Sequence, residues 1–189
     1  MNAYVALLRA VNVGGTGKLP MQDLQSMCMK SGFTKVRTFI ASGNVVFESR
    51  LSEAKVKSAL QQSLAAYAGK PVGVLIRTAA EMAAVLAANP FPNTPRNCTV
   101  AIFLDLQPPA DALHYATGQK DEKVQLGLRE IYVHYGPGMA DSRLKIPAAK
   151  EGTARNMNTI AKLAEMAANL QKQHLETTSR ASGSRTSDP

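Results

Sequence analysis

The sequence predicts an α+β protein composed of two ferredoxin-like halves, the second less regular than the first, followed by a C-terminal helix. In residues 1–78, strand-like and helix-like apolar patterns alternate in the order βαββαβ, which is the order of a split βαβ unit. Residues 79–140 repeat a β, α, β, β order with longer connections. Because 45% of the 189 residues are hydrophobic, the chain can bury a core.

The first half begins with an apolar run, Tyr4 to Val11, which only Arg9 interrupts, and such a run predicts a central strand. A helix is expected over about residues 20–31, between a proline that suits its first turn and a glycine that suits its end. The segment 35–47 then alternates as two strands that turn at Ser42-Gly43-Asn44, which predicts a hairpin.

A second helix and a fourth strand complete the first half. Ser52 can cap the helix, and Gly69-Lys70-Pro71 ends it before a strand over residues 72–76. The apolar positions of this helix recur at helical spacing and are Val56, Leu60, Leu64 and Tyr67.

The second half, residues 79–140, is expected to start with a short helix over 79–88 and a strand over 100–106. A helix is predicted to begin near Pro109. The half then ends in a hairpin made of residues 124–135.

The remainder of the chain is predicted to be a connector, a helix and a tail. Residues 141–175 contain a basic connector and a helix with one apolar stripe, formed by Ile160, Leu163, Ala167 and Leu170. Residues 176–189 contain no large apolar residue, so this tail is expected to be disordered.

The charge of the chain favours an anionic partner. The net charge is +8, and residues 1–78 alone hold ten Lys and Arg against three Asp and Glu. No apolar run approaches the roughly 20 residues of a membrane span, and the N-terminus does not have the pattern of a cleaved leader. The two cysteines, Cys28 and Cys98, are far apart and indicate neither a disulfide framework nor a zinc site. We therefore expect a cytoplasmic protein without membrane contact.

The stretch VNVGGTGKLP, residues 11–20, is similar to a phosphate-binding loop but departs from the Walker A pattern. Asn12 stands where that pattern needs its first glycine, and Leu19 stands where it needs a hydroxyl. The backbone N–H groups of Gly14 and Gly15, with the start of the next helix and Lys18, could still bind an anion. Glycine pairs before helices also serve as plain turns, so both interpretations stay open.

The predicted topology brings separate motifs to one edge of the first sheet. In a ferredoxin-like unit the first strand ends where the hairpin turns. The Asn12–Lys18 loop, the Ser42–Asn44 turn and the turn at Lys70 are therefore expected to be neighbours.

A second motif, EGTARNMNTIAKL, precedes the C-terminal helix. Its polar residues are N-cap types, so capping explains one or two of them. Arg155, as a bidentate donor, and Asn156, as a mixed donor and acceptor, could instead recognise phosphate or a base edge, together with Asn158 and Thr159.

These stretches, together with VRTFIASGNVVFES, resemble the bacterial family called domain of unknown function 1697, from the N-terminus to about residue 170. The family commonly has glycine at the position of Ala10 and an aromatic at that of Met157. The resemblance implies a duplicated ferredoxin-like fold and brings no established activity. It implies a candidate ligand-binding surface formed by Arg9, Asn12, Gly14, Gly15, Lys18, Ser42, Gly43, Asn44, Arg155, Asn156, Asn158 and Thr159.

Three functions are open at this stage. The motifs and the basic first half favour binding of a phosphate-bearing ligand, either a nucleotide or a nucleic-acid backbone. An enzyme acting on a phosphorylated small molecule is less favoured, because the candidate residues include no His, Cys, Asp or Glu and Ser42 has no evident base. The motifs could also be architectural, with function residing in protein partners. The sequence identifies no cofactor and predicts no metal site.

Overall fold

The computed structural model describes residues 1–11 and 18–183. The first half contains β1 (Asn2–Leu8), α1 (Met21–Lys30), β2 (Thr34–Phe39), β3 (Asn44–Ser49), α2 (Glu53–Ala68) and β4 (Val74–Thr78). The rest contains α3 (Ala79–Ala87), β5 (Thr99–Phe103), β6 (Lys123–Leu126), β7 (Glu130–His134), β8 (Thr153–Asn156) and α4 (Met157–Gly183). None of the helices in these ranges combines the length and hydropathy needed to cross a bilayer.

The first sheet has the strand order β2-β3-β1-β4, with every neighbouring pair antiparallel, as expected for a ferredoxin-like unit. Helices cover both faces of β1, which explains its continuous apolar sequence. Val5 and Leu7 pack towards α3 and α4, whereas Tyr4 and Ala6 pack towards α1 and α2. A strand covered on both sides reads as continuous apolar sequence instead of alternating.

The second sheet repeats the order of the first as β6-β7-β5-β8, again antiparallel throughout. The predicted strand after α3 and the predicted hairpin are confirmed. The fourth strand, β8, lies in the segment that the sequence assigned to a connector and a helix start. The second sheet therefore extends past residue 140, where the sequence placed the end of the second half.

Two further predictions differ from the structure. Residues 110–115 form successive turns instead of a helix from Pro109, because the chain leaves after Ala116 to form a bridge between Thr117 and Lys145. So short a segment cannot offset the cost of starting a helix. At the C-terminus, α4 continues to Gly183, into the tail that was expected to be disordered, and residues 184–189 lie outside the described part.

The central layer of the protein consists of α3 and α4 between the two sheets. Met82 of α3 and Leu163 of α4 are fully buried there, against Leu7 of the first sheet and Phe103 of the second. The outer face of the first sheet is covered by α1 and α2. The outer face of the second sheet is covered by irregular chain that includes Ile146.

Two buried arginines join the halves in a reciprocal manner. Arg77 on β4 donates to the carbonyl of Leu104, which follows β5, to the carbonyl of Arg129 in the β6–β7 turn, and to the carboxylate of Glu130, the first residue of β7. Its guanidinium also lies 5.4 Å from the centre of the Phe103 ring.

Arg155 on β8 makes the corresponding contacts in the opposite direction. It donates to the carbonyl of Leu8 at the end of β1, to the carbonyl of Ser42 in the β2–β3 turn, and to the amide oxygen of Asn44, the first residue of β3. Each half thus supplies one arginine from its fourth strand and receives one at the edge where its hairpin turns.

The helices after the two arginines are also capped in the same way. Thr78, next to Arg77, accepts a hydrogen bond from the backbone N–H of Glu81 at 3.2 Å. Asn156, next to Arg155, accepts one from the backbone N–H of Thr159 at 2.9 Å. The sequence of strand, arginine, capping residue and helix therefore occurs twice in the fold.

Substituting Arg155 by lysine is expected to lower the free energy of unfolding by about 2–6 kcal/mol, measured by urea unfolding. Lysine has three donors for the five acceptors that Arg155 serves, so at least two buried or partly buried acceptors lose their partner, at roughly 1–3 kcal/mol each. The exposed Arg50 provides the matched control, since Arg50→Lys should change stability by less than about 0.5 kcal/mol. Equal unfolding midpoints for the two variants would contradict the assignment.

Candidate functional site

The end of β1 and the hairpin turn meet, as the topology predicted. The backbone N–H of Leu8 donates to the carbonyl of Gly43 at 2.8 Å. Gly43 has a φ of +74°, and a Cβ there would lie 2.8 Å from the Cβ of Leu8. Only glycine meets both requirements, which explains its place in the motif.

Arg155 lies where β1 and the hairpin turn meet, but all of its hydrogen-bond donors bind acceptors of the protein itself. Besides the three contacts with the first half, it donates to the hydroxyl of Thr153 and the carbonyl of Ala154. All five of its donors are therefore used, and the side chain is 8% exposed. Burial lowers the pKa of Arg155 to about 10, because only neutral oxygens surround its charge. No donor remains for a ligand phosphate, so we exclude Arg155 from the candidate site.

The neighbouring motif residues also have structural partners. Asn44 is fully buried and donates to the carbonyl of Phe39 and the hydroxyl of Ser42. Asn156 caps α4, and Thr159 receives that cap and is buried, whereas Asn158 is exposed on the first turn of the helix. These contacts support the architectural interpretation for this part of the predicted surface.

A cavity of about 490 Å³ lies at the end of β1. It adjoins the structural cluster formed by Ser42, Gly43, Asn44 and Arg155. The end of α2, the turn before β4 and the segment before α1 form its other described walls. Its cationic lining residues are Arg9, Lys18 and Lys70. Apolar side chains cover much of the rest, including the buried Val11, Leu19 and Leu64.

Arg9 is the only one of these cations with a carboxylate partner among the described residues. It forms an ion pair with Glu151 and donates to the carbonyl of Lys150 at 2.6 Å. Both partners belong to the turn before β8, so the second half holds the guanidinium at the cavity wall.

Tyr67 contributes a ring and a hydroxyl to the cavity wall, near the end of α2. Its hydroxyl donates to the carboxylate of Asp23 at 2.9 Å. This hydrogen bond raises the pKa of Tyr67, because ionised tyrosine would lose the bond and repel Asp23. The hydroxyl is thus a neutral donor at physiological pH.

The structure divides the predicted site residues between the cavity and the structural cluster beside it. Arg9 and Lys18 line the cavity together, whereas Ser42, Gly43, Asn44 and Arg155 form the adjoining structural cluster. Asn12, Gly14 and Gly15 lie outside the described residues.

Two polar side chains of the described cavity lining were not among the candidates, those of Tyr67 and Lys70. The helical spacing placed Tyr67 on the apolar stripe of α2, but its side chain is exposed. Lys70 was expected at this edge without a role. The sequence feature that could have identified both residues is their position at the end of α2. This end lies beside a glycine turn that the predicted topology places next to the Asn12–Lys18 loop.

Ala10, between Arg9 and Val11 in the cavity wall, has a φ of +51°. The residues before it are held by the Leu8–Gly43 hydrogen bond and by that of Arg9 N–H to the carbonyl of Gly73. The backbone therefore turns at Ala10, where a Cβ costs about 1–2 kcal/mol. Strained backbone of this kind is concentrated at functional sites.

Substituting Ala10 by glycine is expected to raise the free energy of unfolding by about 0.5–1 kcal/mol in thermal or urea unfolding, because relief of strain exceeds the entropic cost of glycine. The same change at the exposed Ala66 of α2 should lower it by about as much. Destabilisation by both changes would show that Ala10 does not hold strain.

Comparison with known proteins places the chain in a family and supports the fold. A conserved bacterial protein, SP0830 from Streptococcus pneumoniae, has a similar structure with a TM-score of 0.74 and 24% sequence identity, over 88% of this chain and 98% of that one. No curated protein sequence matches the chain. A family model described as a protein of unknown function, DUF1697, matches residues 1–132. The chain therefore belongs to the DUF1697 family.

Proposed function

We propose that the protein binds a small, phosphate-bearing anionic ligand, such as a nucleotide, in the cavity at the end of β1. The observation that carries this proposal is the convergence of Arg9, Lys18 and Lys70 on one cavity whose described lining contains no acidic residue. Arginine and lysine are the usual phosphate ligands, and apolar walls increase the strength of their attraction for an anion.

The shape of the site favours a small molecule over a nucleic-acid backbone. A volume of about 490 Å³ lies within the roughly 300–1,000 Å³ of small-molecule pockets. Its buried apolar wall suits the body of a ligand, while the cations suit its charged end. A phosphodiester backbone is instead bound by cations spread along a surface.

The strained backbone at Ala10 supports the same location. It lies in the wall between two other lining residues. The hydrogen bonds of Arg155 to Leu8, Ser42 and Asn44 join the halves beside this wall. We also propose a cytoplasmic location, with which the two unpaired cysteines are compatible.

The proposal is tested by thermal-shift titration with adenosine 5′-monophosphate and a panel of sugar phosphates. A ligand at 100 times its dissociation constant should add about 2.7 kcal/mol of stability to the wild-type protein. The double variant Lys18→Ala, Lys70→Ala should lose this response, because it loses both cations that lack a described carboxylate partner.

The matched control is Lys172→Ala, at an exposed position of α4 away from the cavity lining. This variant should respond as the wild type does. The proposal is wrong if no compound of the panel shifts the wild-type protein, or if the double variant keeps the full response.

A further inference from the structure

We infer that the cavity selects a doubly charged terminal phosphomonoester carried by a small apolar or aromatic body. This inference rests on the proposed function and adds to it the chemical class of the ligand. It follows from the number of cavity cations whose charge the protein itself does not balance, and from the apolar wall beside them.

Arg9 is balanced by Glu151. The two side chains form an ion pair, in which the side chain of Glu151 is 76% exposed. Although such an exposed pair contributes little to stability, it places one negative charge directly on the guanidinium. Arg9 therefore offers hydrogen-bond donors without adding a full net charge to the cavity.

Among the described residues, Asp23 is a second acidic residue that contacts the cavity wall, through the hydroxyl of Tyr67. It lies in the first turn of α1, where the positive end of the helix dipole favours a carboxylate. The helix dipole thus offsets part of its charge, and the hydrogen bond from the Tyr67 hydroxyl stabilises the carboxylate.

Lys18 and Lys70 are the other two cations of the described cavity lining. Within residues 1–11 and 18–183, neither forms an ion pair, and both are exposed at the cavity. The sequence of residues 12–17 contains no acidic side chain. The two lysines therefore bring to the cavity two positive charges that no described carboxylate pairs with.

Two positive charges match a terminal phosphomonoester, which carries about −1.5 to −2 at pH 7. A phosphodiester or a sulfate ester carries only one negative charge and leaves one lysine unbalanced. The body of the ligand is indicated by the apolar wall of Val11, Leu19 and Leu64, with the exposed ring of Tyr67 beside it. An aromatic or short aliphatic group fits this surface.

The experiment compares phenyl phosphate with phenyl sulfate by calorimetric titration of the full-length protein at pH 7.5. The two probes share one body and nearly one shape, and differ by about one charge. We expect phenyl phosphate to bind at least ~10-fold more tightly, because the additional charge lies between two cations. In Lys70→Ala the preference should fall below ~3-fold, while Lys172→Ala should retain it.

A second measurement tests the role given to Glu151. Glu151→Gln leaves Arg9 unbalanced and should raise the affinity for phenyl phosphate by ~2- to 5-fold, the effect expected of an exposed ion pair. The matched control is Glu165→Gln, which removes another exposed carboxylate, 57% exposed against 76% for Glu151, from its pair with Lys162 on α4. The control should leave the affinity unchanged.

The outcomes separate this inference from the proposed function. Equal binding of the two probes to the wild-type protein overturns the inference and leaves an anion site in place. Weaker or unchanged binding in Glu151→Gln overturns the charge count. If neither phenyl phosphate nor any phosphate in the earlier panel binds, the proposed function fails as well.

Discussion

The exchange of two buried arginines between the halves is the interaction on which the structure depends. Arg77 and Arg155 are 1% and 8% exposed, and each reaches from a fourth strand to the opposite sheet. A buried guanidinium is tolerated only where its donors are satisfied, so the partner half must present its carbonyls in one arrangement. Because Arg155 holds Leu8, it also fixes the point at which β1 ends and the cavity wall begins with Arg9.

The two junctions are similar in geometry and differ in charge. Arg77 has a carboxylate partner in Glu130, whereas Arg155 has the amide of Asn44 at the corresponding position. Burial lowers the pKa of both arginines, and the carboxylate opposes this effect only at Arg77. The Arg155 junction is therefore held by the number of its hydrogen bonds, which include carbonyls of the β1 end and the hairpin turn. The cavity that we propose as the ligand site lies next to this junction, since its wall begins at Arg9, directly after Leu8.

Much of the fold could be predicted from the sequence, because the first half has long apolar runs with clear turn residues between them. β8 was missed because four residues with three polar side chains give no strand pattern, and its place is determined by pairing with β5. The functional role expected of Arg155 could not be decided from sequence, because nothing in the motif shows whether its donors are satisfied internally. A comparison of RTAAE at Arg77 with RNMNT at Arg155 would have indicated that the two are equivalent, each followed by a helix cap.

The reciprocal arginines are expected to make the two halves one cooperative unit, and the cavity lies at the edge that the halves share. Native-state hydrogen exchange as a function of urea tests this cooperativity most directly, with the amides of Val46 in β3 and Val133 in β7 as reporters. The account predicts that both amides exchange with the same opening free energy and the same urea dependence, equal to those of global unfolding. Exchange of the second sheet at a clearly lower free energy, while the first remains protected, would contradict it.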